Sequence, residues 1–247
     1  MQMNMTTKDL PKYLYKFKSL KNVDHVESLL RGKLYFSSPL ELNDPFDCNI
    51  TIRYDYCDDD LLTKIIRHDT QYSEPDLSDK QVREIITNFR NERDIPKKFY
   101  NFMNQNFGIF SMSEEIKSPL LWAHYADSWG GIAIEYDYAK LFSYMLKSLK
   151  QEGLKVTFDK VKYKRKFPQL IPKSPNNNKL ILRSLLIKPL EWNYEKEWRI
   201  ILTKLQFKSE YQIPKDIINA LYLGPRCERE SEVREILKSI FPHYKVY

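Results

Sequence analysis

Strand-like and helix-like segments follow one another irregularly along this chain, and that order constrains its fold more than any other feature. Alternating apolar residues predict strands in the following segments: 13–17, 34–38, 107–113, 131–137, 155–164, 194–202 and 221–223. Helical spacing predicts helices in another set: 22–31, 58–105, 120–126, 179–187 and a last segment that ends at 240. Since the two kinds do not alternate steadily, the predicted class is α+β, with a central mixed or split β-sheet, flanking helices and a helical insertion at 58–105.

Two segments are predicted to interrupt regular structure. The alternation at 155–164 slips between Phe158 and Val161, which indicates a bulge or a turn. Three prolines and a run of asparagines predict a loop at 168–178. No linker or internal repeat divides the chain, so one domain, residues 1–247, is the expected organisation.

The composition is that of a folded protein. Of the 247 residues 42% are hydrophobic and 14% aromatic, which is far from a disordered composition although 30% are charged. The N-terminal residues show no signal-peptide pattern, and no apolar run approaches the ~18 residues that span a bilayer. A cytoplasmic location without a membrane partner is therefore expected.

The cysteines and histidines give no sign of a metal centre. The three cysteines, Cys48, Cys57 and Cys227, form no C-x-x-C pair, and the four histidines are scattered along the sequence. Neither a disulfide framework nor a tightly bound metal is therefore expected.

Positive charge is concentrated in one part of the sequence, although the whole chain is basic, with a net charge of +7. Between 155 and 188 Asp159 is the single acid, against these bases: Lys155, Lys160, Lys162, Lys164, Arg165, Lys166, Lys173, Lys179, Arg183 and Lys188. Such a stretch attracts polyanions and predicts a surface that contacts nucleic acid. A lysine-rich solvated surface explains the same pattern.

Glycine is too rare for the common phosphate-binding loops. The chain has 6 glycines, and none forms G-x-G-x-x-G or G-x-x-x-x-G-K-[ST]. Rossmann dehydrogenases and Walker-type NTPases are therefore excluded. The G-x-S-x-G and H-E-x-x-H motifs are also absent from the sequence.

Three polar and aromatic segments remain as candidate sites. The first follows a predicted strand and supplies hydroxyl, amide and carboxylate groups from Ser37, Ser38, Asn43, Asp44 and Asp47. The second combines a strand serine with a helix that brings polar groups to one side, from Ser111, Trp122, His124, Tyr125 and Asp127. Structural Asx turns explain the first segment equally well, and a structural histidine explains the second.

The third segment, 194–202, has paired carboxylates on one side of a predicted strand. Because strand side chains alternate, the charged face holds Glu195, Glu197 and Arg199, and the apolar face holds Trp198, Ile200 and Leu202. This segment is the strongest indication of chemistry in the sequence. A solvated edge strand would show the same alternation.

The motifs together resemble a known family. They are Leu34-Tyr-Phe-Ser-Ser-Pro39, Asn43-Asp-Pro-Phe-Asp47, Leu121-Trp-Ala-His-Tyr-Ala-Asp127, Gly130-Gly-Ile-Ala-Ile-Glu135 and Tyr194-Glu-Lys-Glu-Trp-Arg199. In order and sequence they are similar to a domain-of-unknown-function family that is widespread in bacteria and phages. The resemblance covers most of the chain, and it brings no established activity with it.

A looser resemblance is to the ADP-ribosyltransferase superfamily, whose members combine a polar first-strand residue, a Ser or Tyr on a following strand and a late-strand Glu, often in E-x-E. Lys16 or Tyr15 would take the first role, Ser37 or Ser111 the second and Glu197 the third. The resemblance implies an enzyme that uses NAD as substrate and modifies a protein or nucleic acid, in phage defence or as a toxin. The chain departs from the pattern because the first strand has no Arg or His and no Ser-Thr-Ser triplet occurs.

That interpretation gives the carboxylates separate roles. Glu197 stabilises the positive charge that develops on the ribose when the bond to nicotinamide breaks. Glu195 orients or deprotonates the acceptor, and His124 is a further catalytic candidate.

The remaining predicted site residues bind the dinucleotide. Lys16 and Arg199 would hold the pyrophosphate, and Tyr15 or Tyr125 would stack on the nicotinamide. Arg199 has an alternative role as an ion-pair partner of Asp47 or of its neighbouring glutamates. The other substrate-binding candidates come from the first two segments: Ser37, Ser38, Asn43, Asp44, Asp47, Ser111 and Trp122.

Two other functions fit the same residues. One is a nucleic-acid-binding protein or a metal-dependent nuclease, and the nuclease would use Asp44, Asp47, Glu135 and Glu197 as magnesium ligands. A non-catalytic interaction module would present the aromatic and arginine side chains to a protein partner. The catalytic interpretations require that Tyr15, Ser37, Asn43, His124 and Glu197 meet in one pocket.

Overall fold

A computed structural model describes residues 10–68, 77–91, 97–172, 177–203, 209–240 and 245–247. The strands are β1 Tyr13–Lys18, β2 Lys33–Tyr35, β3 Thr51–Ile52, β4 Phe107–Ser113, β5 Ile132–Asp137, β6 Lys155–Lys160, β7 Lys162–Lys164, β8 Gln169–Leu170, β9 Ile187–Pro189, β10 Glu197–Thr203, β11 Glu210–Gln212, β12 Ile218–Leu223 and β13 Lys245–Val246. The helices are α1 Val23–Leu30, α2 Asp59–His68, α3 Asp79–Asn91, α4 Lys97–Asn106, α5 Pro119–Tyr125, α6 Tyr138–Gln151, α7 Asn177–Ser184 and α8 Glu230–Ile240.

The centre of the fold is a seven-stranded sheet in the order β13-β12-β5-β1-β4-β10-β6. Neighbouring strands are antiparallel, except that β12 and β13 run parallel. Helices pack on this mixed sheet and do not alternate with its strands. The predicted α+β fold with a central mixed sheet is therefore confirmed.

The sheet is split between β1 and β4, two strands that the structure describes completely. β1 pairs with β5 along its whole length, and β10 pairs with β4 in the same way. β1 and β4 share a single residue pair, Tyr15 with Ser113. Beyond that pair the strands diverge, and the Lys16 ammonium donates to the Ser111 carbonyl at 2.8 Å. The side chain thereby supplies a partner to a backbone oxygen that lacks one from the neighbouring strand.

One face of the sheet carries the main hydrophobic core. The alternation predicted for the late strand is observed, because Trp198, Ile200 and Leu202 all point into this core. The amphipathic helices α1, α6 and α8 cover it, as their apolar stripes require. α1 begins where the Asn22 side chain accepts from the His25 N–H at 3.2 Å, a standard helix cap.

The opposite face is divided into two smaller clusters. One lies over β1 and β5 and includes Phe17, Ala133 and Trp122. The other lies over β4 and β10 and includes Ile109 and Ile201. The gap between the clusters coincides with the split in the sheet, so a polar cavity can form there without opening the main core.

Some element boundaries differ from the prediction. The strand predicted at 34–38 ends at Tyr35, and Ser37 forms an isolated bridge with Ile109. The alternation at 155–164 breaks at Val161, which separates β6 from β7 as the phase slip indicated. The loop predicted at 168–178 includes the short strand β8, and α7 begins inside it at Asn177. Residues 173–176 of that loop lie outside the described residues.

Three helices, α2 to α4, lie in the segment predicted as a helical insertion. α2 and α3 pack on a small cluster of their own that includes Leu62, Ile66, Val82 and Ile86. Parts of the segment, 69–76 and 92–96, lie outside the described residues, and the predicted domain boundaries stay a prediction. In the described part of the chain, no helix has the length and apolar character needed to cross a membrane.

Candidate functional site

A cavity of about 260 Å³ lies at the split in the sheet. It is bounded by β1, β4 and β10 and by the turn that follows Glu41. Most of the predicted site residues line it: Tyr15, Lys16, Ser37, Asn43, Asp47, Ser111, Tyr125, Glu195, Glu197 and Arg199. Four of the five residues that the catalytic interpretations need together are thus in one pocket. Their chemical roles stay predictions.

The two glutamates reach the cavity by a different route from the predicted one. Glu195 is not on the strand, because it ends a 3-10 helix that spans Leu190–Glu195. Lys196 then adopts a left-handed conformation with φ 41°, and β10 begins at Glu197. That conformation is uncommon for a residue other than glycine and indicates local strain beside the cavity. Because the chain turns at Lys196, the Glu195 side chain from the 3-10 helix and the Glu197 side chain from β10 both enter the same cavity.

Arg199 ties the late strand to the 43–47 turn. Its guanidinium donates to Asp47 Oδ2 at 2.6 Å and to both oxygens of Glu197, at 2.8 and 3.0 Å. The remaining nitrogen, Nη1, donates to the Leu185 carbonyl and contacts Cys48 Sγ. Arg199 is fully buried. Its observed partners match the alternative role as an ion-pair residue and leave no nitrogen directed at a pyrophosphate.

Lys188 is the central residue that sequence reasoning missed. Its ammonium lies 2.7 Å from Glu195 Oε2, 3.5 Å from Glu197 Oε2 and 3.6 Å from Asp47 Oδ2. In the sequence, Lys188 belongs to the basic stretch 155–188, which predicts a surface position, yet the residue is only 2% exposed. A lysine between apolar neighbours on a short strand just before the carboxylate motif is the signal that indicates its burial.

The buried cluster has more acids than bases. Asp47, Glu195 and Glu197 supply three negative charges, and Lys188 and Arg199 supply two positive ones. All five side chains are almost completely removed from solvent. Buried charges require partners because desolvation is costly, so one uncompensated negative charge favours a cationic group in the cavity.

The two glutamates have opposite pKa shifts. Burial opposes ionisation of Glu197, but the charges of Arg199 and Lys188 outweigh burial and lower its pKa to about 2. Burial raises the pKa of Glu195, despite the nearby Lys188 ammonium. Glu197 is therefore a permanent anion, whereas Glu195 accepts a proton more readily.

Lys16 titrates near neutral pH. Burial, assisted by the positive charge of Lys18, lowers its pKa to about 7. Its ammonium contacts the Ser111 carbonyl and lies 4.8 Å from the centre of the Phe110 ring. When Lys16 is protonated, its charge balances the excess acid in the cavity. When it loses its proton, the cavity becomes net negative.

Two tyrosine hydroxyls complete the hydrogen bonding of the glutamates. Tyr125 donates to Glu195 Oε1 at 2.6 Å and accepts from the Asn43 amide at 3.1 Å. Burial and the charge of Glu195 raise the pKa of Tyr125, so its hydroxyl remains a donor. Tyr163 accepts from the Glu197 backbone N–H at 2.8 Å. Tyr125, a predicted site residue, thus lines the cavity. Tyr163 on β7 was not predicted, and it contacts the backbone of Glu197.

The remaining predicted site residues lie outside this cavity. Asp44 caps its own turn by accepting from the Phe46 N–H, and the Ser38 N–H donates to Glu41. Trp122 is buried and donates to the Ile116 carbonyl. The exposed His124 ring packs near Trp192 and Tyr194.

The predicted approach of His124 to Asp127 is not formed. α5 ends at Tyr125, and Asp127 has a left-handed φ of 51°. The Asp127 carboxylate pairs with Lys21 at 2.7 Å instead. Helical i, i+3 spacing does not apply past the end of a helix.

Not all of the bases in the stretch lie free on the surface. Lys188 is in the buried cluster, and Lys160 pairs with Glu114 at 2.6 Å. The exposed bases of the stretch are Lys155, Lys162, Lys164, Arg165, Lys166, Lys179 and Arg183, and Lys173 lies outside the described residues. The prediction of a nucleic-acid surface stays a prediction for these exposed residues.

The carboxylates proposed as magnesium ligands are dispersed. Asp47 and Glu197 share the cavity, Asp44 lies beside an adjoining cavity, and Glu135 is hydrogen-bonded to Tyr222 at 2.9 Å on another part of the sheet. Across the described ranges, no group of three His, Cys, Asp or Glu side chains is arranged to hold a metal ion. The four-carboxylate magnesium site is therefore not formed by the described residues.

Fold and site together define a class: an α+β protein whose split sheet encloses a cavity with a buried cluster of acids and bases. A family model matches residues 121–200, and its description is a protein of unknown function, DUF2971. The match covers about a third of the chain, including the Leu121–Asp127 and Tyr194–Arg199 motifs but not Asn43–Asp47. The resemblance to a family of unknown function is confirmed for this segment. No curated protein and no solved structure matches the chain.

Proposed function

We propose that the protein is an enzyme of ADP-ribosyltransferase type, which cleaves the nicotinamide–ribose bond of NAD and transfers ADP-ribose to a macromolecular acceptor. One observation carries the proposal. The first strand, a middle strand, the late strand and the 3-10 helix before it bring to a single cavity the groups that this chemistry needs, namely Tyr15, Lys16, Ser111, Glu195 and Glu197.

The two carboxylates suit the two halves of the reaction. When the C1′–N bond breaks, its electron pair leaves with nicotinamide, and positive charge develops on the ribose. Glu197 is ionised at every physiological pH and stabilises that charge electrostatically. The acceptor then forms a bond to C1′ and loses a proton. Glu195, whose pKa is raised, is the group that takes it.

The charge of the cavity complements the substrate. The nicotinamide ring of NAD is positively charged, and while Lys16 is unprotonated the cluster of three acids and two bases has one negative charge in excess. Protonated Lys16 balances that excess, and its ammonium can then meet a phosphate of the dinucleotide at the same cavity. Arg199 supports the reaction through Glu197, because its guanidinium is already occupied.

The size of the cavity indicates which part of the substrate enters. Sites for whole drug-sized ligands occupy about 300–1,000 Å³, and this cavity holds about 260 Å³. It therefore accommodates nicotinamide and its ribose, and the adenosine half lies at the mouth. An adjoining cavity of about 400 Å³ shares Leu42, Asn43 and Asp47 with the first. That neighbouring space is available to the remainder of the dinucleotide.

The test is release of nicotinamide from NAD, followed by chromatography. The reactions contain water, protein extract, DNA or RNA as acceptor, so that hydrolysis and transfer are both seen. Loss of the charge in Glu197→Gln is expected to reduce the rate by about 10²–10³, as for removal of an electrostatic stabiliser. Glu210→Gln, at an exposed carboxylate on β11, is the matched control and should retain the wild-type rate.

Two results would count against this function. One is a folded wild type that releases no nicotinamide with any acceptor and whose melting temperature does not change with NAD. The other is equal activity in wild type and Glu197→Gln. Thermal unfolding of each variant, measured in parallel, separates loss of chemistry from loss of fold.

A further inference from the structure

A chain of hydrogen bonds leads from the rim of the cavity to Glu195. The Asn43 side-chain amide donates to the Tyr125 hydroxyl at 3.1 Å, and that hydroxyl donates to Glu195 Oε1 at 2.6 Å. Burial increases along the chain, because Asn43 is exposed, Tyr125 is half-buried and Glu195 is 3% exposed. Tyr125 is therefore the ionisable group of this chain that lies nearest to solvent.

Both oxygens of the Glu195 carboxylate accept hydrogen bonds inside the protein. Oε1 accepts from Tyr125, and Oε2 accepts from the Lys188 ammonium at 2.7 Å. The cavity of about 260 Å³ admits only the reactive group of a macromolecular acceptor, and that group enters from the solvent side. It therefore reaches the Tyr125 hydroxyl before it reaches the more deeply buried carboxylate.

The Tyr125 hydroxyl has the capacity to pass a proton on. A phenol donates one hydrogen, and its oxygen accepts through two lone pairs. The hydrogen is directed to Glu195 and Asn43 occupies one lone pair, so within the described residues the other is left for an incoming donor. Burial and the charge of Glu195 raise the pKa of Tyr125, and the phenol is therefore neutral before the reaction.

We propose that Tyr125 is a catalytic residue that relays the proton of the acceptor to Glu195 during the transfer of ADP-ribose. This relay rests on the proposed function. As the acceptor oxygen or nitrogen bonds to C1′, its proton moves to Tyr125 Oη, and the phenol's own proton moves to Glu195 Oε1. The phenol is regenerated in the same step and Glu195 becomes neutral. Glu195 loses the proton to water after the product has left.

The variant Tyr125→Phe separates transfer from hydrolysis. A macromolecular acceptor depends on the relay, so transfer should fall by about 10²-fold or more, as for loss of a general base. Water is small enough to enter the cavity and lose its proton to Glu195 directly, so hydrolysis of NAD should fall by less than about tenfold. KM for NAD should change by less than about threefold, because the lost group acts in the chemical step.

The matched control is Tyr222→Phe. It removes a phenol that also donates to a buried glutamate, Glu135, and neither of these residues lines the cavity. This control should keep the wild-type ratio of transfer to hydrolysis. The relay would be overturned if Tyr125→Phe kept that ratio too, either with both rates unchanged or with both lowered equally, since an equal fall indicates a structural role.

The wild type provides a second test, which stands even if Tyr125→Phe does not fold. Single-turnover transfer is measured in mixtures of H2O and D2O. With the relay two protons move in one step, so the rates should lie on a curve below the straight line that joins the values in pure H2O and pure D2O. Rates on the straight line would mean that one proton moves, and they would overturn the relay.

The relay and the proposed function fail differently in these experiments. A folded wild type that does not cleave NAD with any acceptor overturns both. A wild type that transfers ADP-ribose, together with a Tyr125→Phe variant that keeps the wild-type ratio, overturns the relay and leaves the proposed function in place.

Discussion

The two halves of the sheet each bury a glutamate, and they stabilise it in different ways. Glu197 on β10 is 4% exposed and is surrounded by the Arg199 guanidinium and the Lys188 ammonium. Glu135 on β5 is 2% exposed and accepts hydrogen bonds from the Tyr222 phenol and the Asn219 amide. The cavity lies between them.

This difference indicates that the two halves of the sheet have different roles. Cationic partners keep Glu197 ionised and place strong charges where a reaction can use them. Neutral donors produce only a weak electrostatic field, and their hydrogen bonds instead fix the orientation of the side chains that they join. Buried ionic clusters are seldom the most stable way to fill a protein interior. The concentration of charge on one side of the split therefore supports a functional role for that side.

The largest expected effect is on stability, in the half of the sheet that buries Glu197 with its cationic partners. Arg199→Leu leaves Asp47 and Glu197 buried without their main partner, and we expect the free energy of unfolding to fall by about 3–5 kcal/mol. Urea denaturation measures the change. Arg234→Ala breaks an exposed ion pair with Glu230 on α8 and should cost no more than about 0.5 kcal/mol. Equal stability of the two variants would mean that the cluster is not a structural unit.

The pH dependence of stability tests Glu197 directly. Its pKa falls from 4.5 to about 2 on folding, so its contribution is complete above pH 4.5 and is lost as pH falls toward 2. The contribution amounts to about 3 kcal/mol. Urea midpoints measured between pH 2 and 6 should change less steeply in Glu197→Gln than in wild type. Parallel curves for the two proteins would disprove the low pKa.

A smaller loss of stability is expected in the half of the sheet that buries Glu135 with neutral hydrogen-bond donors. Asn219→Ala removes one donor from Glu135 but leaves the Tyr222 hydroxyl in place. Hydrogen bonds to charged groups contribute about 1.5–3 kcal/mol, and we expect a loss near the lower limit because Asn219 is exposed to water. Urea denaturation again measures it. A loss as large as that of Arg199→Leu would remove the distinction between the two halves.

The smallest expected change is in reactivity, with the fold intact. Because its pKa is about 7, Lys16 should lose its proton near neutral pH, while an ordinary lysine remains charged up to about pH 10.4. Competitive acetylation followed by mass spectrometry gives the pH midpoint of reaction for each lysine. Lys16 should show a midpoint near 7. A midpoint above 9 would show that the cavity keeps the ammonium charged.

Local patterns were sufficient for the class of fold and for one face of the late strand. Trp198, Ile200 and Leu202 enter the core because strand side chains alternate, and the sequence shows that alternation directly. The same pattern misplaced Glu195, because the left-handed turn at Lys196 shifts the start of the strand. Such a turn in a non-glycine residue is favoured by its surroundings, and no local propensity predicts it.

The sequence by itself determined which residue types were available: strands with one apolar face, a carboxylate pair, and polar turns rich in Asn and Asp. Only the tertiary structure decided which of them meet. Arg199 and Asp47 are 152 positions apart, and Lys188 joins them from a stretch that otherwise suggests surface. The physical reason is that side-chain alternation follows from the backbone of a few residues. The pairing of buried charges depends on how the whole chain excludes water from them.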